Sequence, residues 1–296
     1  MNFRTDLALE RHELSACKDE EGISFEKFTE DGITVSRIEV TDSNGERVIG
    51  KPVGKYITLE IPFLKSSADI LSSPAEILAR EIKALLPEKG TVLVAGLGND
   101  RITPDALGPE CIGKLLATRH ISPEIAKSIG FSHLRPVAGI IPGVLGNTGI
   151  ETAEILEGIA VKIKPSAIIV IDALASRSLE RLGTTIQMCD TGVSPGAGVG
   201  NKRSRIDEKS VGVPVIAIGV PTVVDGVTMA LDILHNAGTD IESAFDEERL
   251  MSQRNVMVTP KEIDNVITRA AAFIALGINK ALQPHIPCEE LVAIVG

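Results

Sequence analysis

Two short aliphatic runs constrain the fold of this chain more than any other feature. Val92–Ala95 leads through Gly96-Leu97-Gly98-Asn99 to Thr103-Pro104-Asp105, and Ala167–Ile171 ends directly on Asp172. Runs of this kind, bounded by Gly or Pro and followed by helix-forming sequence, read as central parallel strands buried on both faces. Loops at the carboxyl ends of such strands line the crevice of an open α/β sheet, so both carboxylates are expected to face one cleft. A pair of acids in such a cleft suggests hydrolysis.

At 296 residues, the chain is long enough for one large α/β unit or two modest ones. Aromatic residues make up 3%, with no Trp and one Tyr, so the core must be built from Val, Ile, Leu and Ala, which suits parallel strands under helices. A formal net charge of -10 argues against a direct nucleic-acid binder, because affinity for phosphate backbones comes from Lys and Arg. Cys17, Cys111, Cys189 and Cys288 form no Cys-x-x-Cys pair, so buried thiols in a reducing cytoplasm are expected. Met1–Glu10 lacks the apolar stretch of a secretory signal, and no later run has the length of a bilayer span.

From Gly22 to Pro62, Val, Ile and Thr alternate between turn signals at Asp31-Gly32 and Ser43-Asn44-Gly45, predicting an antiparallel hairpin or meander. The α/β part opens at Ser73, where Ser73, Pro74 and Glu76 predict a capped helix to about Leu86. Thr103 is expected to cap a helix that Gly108 and Pro109 interrupt and that resumes over Ile112–His120. Capping boxes at Thr148/Glu151 and Thr259/Glu262 predict helices to Lys164 and Leu282, and a further helix is expected over Val224–Ala237. Strands at Val137–Ile141, Thr184–Met188 and Val213–Val220 join the two opening runs in a sheet of about five strands; Thr239–Asn255 reads as a polar surface excursion.

Gly96-Leu97-Gly98 invites a dinucleotide reading, but Arg101 stands where the third glycine belongs and Asp105 would repel a phosphate. Gly143, Gly146 and Gly149 form a second glycine-rich loop, and Gly196, Gly198 and Gly200 a third; neither ends in the Gly-Lys-Ser/Thr of a P-loop. Each is a set of tight turns or a stretch of extended backbone whose N–H groups could hold a peptide or an oxyanion. Asp105 and Asp172 could each be an ordinary cap. As a pair they could share a proton, one carboxylate activating water and the other protonating a leaving nitrogen. His120 and His133 raise the possibility of a metal, without a His-Glu-x-x-His spacing to support it, and surface or core packing is the expectation for both. The basic stretch Asn201–Arg205 is a solvated loop or a steering patch for an acidic substrate.

The strings Gly-Leu-Gly-Asn (96–99), Thr-Pro-Asp-Ala-Leu-Gly-Pro (103–109), Pro-Gly-Val-Leu-Gly-Asn-Thr-Gly-Ile-Glu-Thr (142–152), Ile-Asp-Ala-Leu-Ala-Ser-Arg-Ser (171–178), Pro-Gly-Ala-Gly-Val-Gly-Asn-Lys-Arg (195–203), Ile-Gly-Val-Pro-Thr-Val-Val-Asp (218–225) and Met-Val-Thr-Pro-Lys-Glu-Ile-Asp (257–264) together resemble the germination protease family of spore-forming bacteria. The resemblance implies an endopeptidase that degrades small acid-soluble spore proteins, made as a zymogen, assembled as a homotetramer and located in the spore core. It implies a fold like that of the hydrogenase maturation peptidases: a mostly parallel central sheet with helices on both faces, here with an added antiparallel segment at about 22–62. It also carries the catalytic pair onto Asp105 and Asp172.

Thr5-Asp6-Leu7-Ala8-Leu9-Glu10 resembles the family's processing site, an acidic residue, then an apolar residue and Ala, with Glu further on. Cleavage between Asp6 and Leu7 would make residues 1–6 a propeptide and 7–296 a single peptidase domain, with its α/β core over about 73–296. Against the family pattern the chain is short at Thr239–Asn255 and ahead of the processing site. The glycines Gly96, Gly98, Gly143, Gly146, Gly196 and Gly198 are the candidate cleft or oxyanion loops. No cofactor is expected, and neither a nucleic-acid nor a membrane partner. The rival readings are a metal-dependent peptidase using the same acids and a nucleotide- or metabolite-binding protein without proteolysis.

Overall fold

Asp31 and Gly32 both adopt positive φ, 48° and 76°, the backbone of a two-residue hairpin turn whose twist matches that of its strands. They join β1 (Ile23–Glu30) to β2 (Ile33–Val40) behind an N-terminal helix, α1 (Ala8–Leu14). The computed structural model describes residues 3–15, 22–65, 72–128, 130–131, 133–200, 203–238 and 256–295. Cys17 and Thr239–Asn255, each the subject of an expectation above, lie outside them, as do Asn201 and Lys202.

Then follow α2 (Ser43–Ile49), β3 (Gly54–Glu60), α3 (Ser72–Leu85), β4 (Val92–Gly96), α4 (Leu107–Gly113), α5 (Pro123–Ser128), β5 (Val137–Ile140), α6 (Leu145–Thr148) and α7 (Thr152–Ile163). The remaining elements are β6 (Ala167–Ser176), β7 (Thr185–Cys189), α8 (Glu208–Val211), β8 (Val215–Asp225), α9 (Gly226–Asn236), β9 (Met257–Val258), α10 (Ile263–Leu282) and α11 (Cys288–Val295).

The described strands form one nine-stranded sheet in the order β1-β2-β3-β7-β8-β6-β4-β5, with β9 paired to β8. β5, β4, β6 and β8 are parallel, as their aliphatic runs predict. The antiparallel strands are not a separate layer: β7 pairs antiparallel with both β8 and β3 and so continues the same sheet. The expected five strands therefore become nine, because sequence pattern finds strands but not which edge joins which.

Alternation along β6 sets the layers. Ile169 and Ile171 pack on one face with Leu78, Leu107, Ile274 and Leu291, drawn from α3, α4, α10 and α11. Ile168 and Val170 pack on the other with Leu156 of α7 and Val211 of α8. Further along that second face, Leu9 of α1 and Ile49 of α2 meet Tyr56 and Cys189. Each such side chain, fully buried, contributes roughly 1.5–3 kcal/mol. Among the described residues no helix is long and apolar enough to cross a membrane.

Several local expectations give way to tertiary structure. Ser43-Asn44-Gly45 opens a helix instead of a turn, because the Asp42 carboxylate accepts the N–H groups of Asn44 and Gly45. Pro109 and Gly108 sit inside α4, in a first turn whose N–H groups need no helical partner, so they do not interrupt it; the helix stops at Gly113 and does not run to His120. Thr148 ends α6, its hydroxyl donating to Val144 O and Ile150 O, and α7 begins at Thr152 without a side-chain cap. The Thr259 hydroxyl donates to Thr222 O instead of capping α10.

Candidate active site

β4 ends where Gly96 pairs with Ile171, and Leu97 N–H still donates to Ile171 O. β6 runs on, because its other neighbour β8 continues beside it to Asp225, and Asp172 pairs with Gly219. Asp172 is therefore mid-strand, not at the strand end the sequence suggested, but it lies just past the carboxyl edge of the shorter neighbour. Helix α4 packs tightly onto that edge: a Cβ on Gly96 would meet Gly108 O at 2.2 Å, and one on Gly108 would meet Leu97 O at 2.2 Å. Thr103–Asp105 forms a single 3-10 turn held by Asp105 N–H on Ile102 O. Asn99 N–H donates to the Asp105 carboxylate at 2.9 Å, and Gly98, with φ 110°, leaves room for the Asp105 backbone.

Both aspartates line one cavity of about 660 Å³ on the α7 side of the sheet, together with Asp6, Lys51 and Gln187. Burial raises the pKa of Asp105, opposed by the Asn99 N–H. Asp172 is pushed up to about 8, first by burial and then by the charges of Asp105 and Asp6. Two acids near one another cannot both ionise cheaply, so burial and their mutual charge favour a proton kept within the pair.

The chain's own N-terminal segment forms part of the cavity wall through Asp6. Asp6 N–H donates to Ala175 O at 2.9 Å, and Ala175 N–H returns a bond of 2.9 Å to the Asp6 carboxylate. The β6–β8 register shifts between Leu174 and Ala175, and such irregularities re-aim a strand beside a site. Burial raises the pKa of Asp6, against the charge of Lys51 and the Ala175 N–H. The Asp6 carbonyl accepts from Lys51 Nζ at 2.8 Å and from Gln187 Nε2 at 3.1 Å, and Gln187 Oε1 accepts Ala8 N–H at 2.5 Å. Leu7, Ala8 and Leu9 are buried. The buried Glu10 carboxylate accepts the N–H groups of Arg177 (2.7 Å) and Ser178 (3.0 Å) and the Thr5 hydroxyl, with the Arg181 guanidinium at 3.4 Å.

Of the six candidate loop glycines, Gly98, Gly143, Gly146, Gly196 and Gly198 line the cavity, whereas Gly96 serves the packing of α4. A Cβ on Gly198 would meet the Asp6 carboxylate at 2.1 Å, so this glycine admits the N-terminal segment. Arg203 and Arg205 reach the cavity rim, Arg205 fixed by Asp207 and Thr191 O. His120 and His133 are exposed, and among the described residues no three His, Cys, Asp or Glu side chains are grouped to hold a metal. Cys111, Cys189 and Cys288 are free and buried, as expected of structural thiols. Sequence reading missed Lys51, Gln187 and the Glu10 pocket. The nearest signal was Gly50, the left-handed cap of α2 that turns the chain into Lys51.

Residues 4–237 match the family model described as germination protease. Over 98% of this chain and 97% of its own length, a germination protease from Caldanaerobacter subterraneus subsp. tengcongensis is 46% identical. One from Clostridium perfringens is 42% identical over 98% of both chains, and one from a Geobacillus species 38% identical over 96% and 95%. Among solved structures, the [NiFe] hydrogenase maturation protease HycI of Thermococcus kodakarensis KOD1 overlaps 67% of this chain and 98% of its own at 16% identity and a TM-score of 0.34, too loose a likeness to carry an argument. The extent of the sequence matches places the chain in the germination protease family, and it is a peptide hydrolase.

Proposed function

We propose that this chain is a self-activating endopeptidase that begins the degradation of small acid-soluble spore proteins during germination, with Asp105 and Asp172 as its catalytic pair. One observation carries the reading. Asp6, the acidic residue that opens the Asp6-Leu7-Ala8 string, lines the same cavity as both aspartates, and the residues around it are held one by one: the Asp6 carboxylate by Ala175 N–H, Ala8 N–H by Gln187 and, at a neighbouring pocket, the later Glu10 by Arg177 and Ser178 N–H. A segment held in this way against a peptidase site is a self-substrate, and while it remains it crowds the site against others. Residues 1–6 are then the propeptide and residues 7–296 the peptidase domain, a zymogen that activates itself by cutting Asp6–Leu7.

The electrostatics divide the labour. Asp172 is held neutral by burial and by two neighbouring carboxylates, which suits a general acid. Asp105 carries the pair's negative charge and takes a proton from water as the oxygen attacks the peptide carbonyl; Asp172 then protonates the leaving nitrogen. The family resemblance supports a homotetramer working in the spore core. The acidic composition supports action on the spore proteins without direct nucleic-acid contact.

Asp105→Asn and Asp172→Asn in the full-length chain test this. Each should lower both self-cleavage and cutting of a disordered peptide containing Thr-Glu-Phe-Ala-Ser-Glu by roughly 10³-fold or more, read by intact mass, with the fold retained. Two folded variants with full activity would remove the pair from the chemistry. Wild-type activity should survive exhaustive chelation. Loss of activity and its return with one divalent ion would move these acids to a metal-dependent mechanism.

A further inference from the structure

We propose that the Lys51 ammonium and the Gln187 side-chain amide form the oxyanion-binding site of this peptidase, holding the carbonyl oxygen of the residue that precedes the cleaved bond. The inference rests on the reading that Asp6–Leu7 is cut at the Asp105–Asp172 pair. It adds the groups that stabilise the charge made by that cut.

Two side-chain donors converge on one main-chain oxygen, Lys51 Nζ at 2.8 Å and Gln187 Nε2 at 3.1 Å from Asp6 O. The other end of the Gln187 amide takes Ala8 N–H at 2.5 Å, so one side chain spans the Asp6–Leu7 bond and fixes the peptide on both sides of it. Sheet register explains why this happens beside the acids. Asp172 of β6 pairs with Gly219 of β8, and Gly219 pairs with Gln187 of β7. Residues directly opposite one another share a face, so Asp172 and Gln187 point to the same side, roughly 10 Å apart at two strand spacings, with only a glycine between them. Lys51 comes in from the connection between α2 and β3, where the Tyr56 hydroxyl donates to Pro52 O at 2.8 Å and fixes the turn.

The step balances. The water oxygen bonds to the Asp6 carbonyl carbon while its proton passes to Asp105, and the carbonyl π pair moves onto the oxygen facing Lys51 and Gln187. The oxyanion collapses, the carbon–nitrogen bond breaks, and the nitrogen of Leu7 takes the proton of Asp172. An acid and an amine result. Lys51 is only partly covered as a residue, yet burial around its ammonium lowers the pKa and the Asp6 charge opposes that. Negative charge growing on the carbonyl oxygen adds to the second effect, so this donor binds the transition state more tightly than the ground state.

The test follows cleavage of the full-length chain and of the Thr-Glu-Phe-Ala-Ser-Glu peptide in Lys51→Met, Lys51→Arg, Gln187→Leu and Gln187→Glu. Lys51→Met and Gln187→Leu should each lower kcat by about 100-fold or more with KM changed less than about threefold, and Lys51→Arg should restore part of the loss. Gln187→Glu keeps the acceptor for Ala8 N–H but loses the donor, and should behave like Gln187→Leu; it also serves if a bulkier change prevents folding. Folded Lys51→Met and Gln187→Glu chains within threefold of wild-type kcat would overturn the assignment, as would a wild-type cut elsewhere than Asp6–Leu7. If those variants are active while Asp105→Asn and Asp172→Asn are dead, only this inference falls. If the aspartate variants also cut, the peptidase reading falls with it.

Discussion

The parallel and antiparallel halves of the sheet contribute different chemistry to one cavity. β4 and β6 deliver carboxylates, Asp105 after one strand and Asp172 within the other. β7 and the chain entering β3 deliver an amide and an ammonium, Gln187 and Lys51. Strand β8 joins them, parallel to β6 and antiparallel to β7. The acid half follows a general rule of α/β sheets, and its two strands, though not the reach of β6 past Asp172, can be placed from aliphatic runs alone. The donor half depends on a register between residues far apart in the chain.

The sharpest way to break the comparison is at the seam. A Cβ on Gly219 would stand 2.6 Å from Leu174 Cγ and 2.7 Å from Asp172 O, so Gly219→Ala must shift one of them. Self-cleavage should fall by roughly 100-fold, with about 1–3 kcal/mol lost in urea unfolding from overpacking. Gly158→Ala, at an exposed position of α7 with nothing within 4 Å of the added carbon, should instead stabilise by about 0.5–1 kcal/mol and leave cleavage intact. Equal losses in both would mean that Gly219 marks general fragility and not a junction.

A smaller effect tests the far end of β6, in the acid half. Glu10→Ala leaves the N–H groups of Arg177 and Ser178 without their carboxylate, and self-cleavage should slow by about 10–100-fold. A peptide whose matching Glu is replaced by Ala should show the same loss mainly in KM. An unchanged KM would mean that this pocket holds α1 and does not read substrates.

The mildest effect is on pH. With the proton of Asp172 held up to a pKa of about 8, kcat/KM should decline on an alkaline limb near that value, and Asp172→Asn should have no such limb. Stability follows the same group. Its folded pKa lies above the ordinary 3.8, so the folded chain binds more protons between those values. The stabilisation is complete below about pH 4 and is lost as pH rises through about 8. Thermal midpoints should fall from pH 5 to pH 8.5, and Asp172→Asn should flatten that slope. A steeper slope in the variant would reverse the assignment of the proton.

What the letters reveal divides along the same seam. Val92–Ala95 and Ala167–Ile171 announce buried parallel strands through composition, and Asp31-Gly32 announces its hairpin through backbone conformation; both signals are local. The reach of β6 past Asp172 was hidden because it depends on β8 continuing beside it. Lys51 looked like any lysine after a helix, and Gln187 like a polar position in a strand. Their meaning arises only when β3, β7 and the N-terminal segment come together. Thr148 and Thr259 had the spelling of caps but found other partners, because a nearby carbonyl competed for each hydroxyl, and Thr103 lies inside a 3-10 turn instead of ahead of it.

The placement of Ala8 at the start of α1 has a kinetic consequence. Cutting Asp6–Leu7 would free the segment that ends at Asp6, but Leu7, Ala8, Leu9 and Glu10 would stay tethered to the catalyst through α1. An incoming chain must evict them from the berths it needs, so the first turnover and every later one have different rate-limiting steps. Unwinding of one short helix, not bond scission, would then set the pace at which a freshly matured molecule accepts foreign protein.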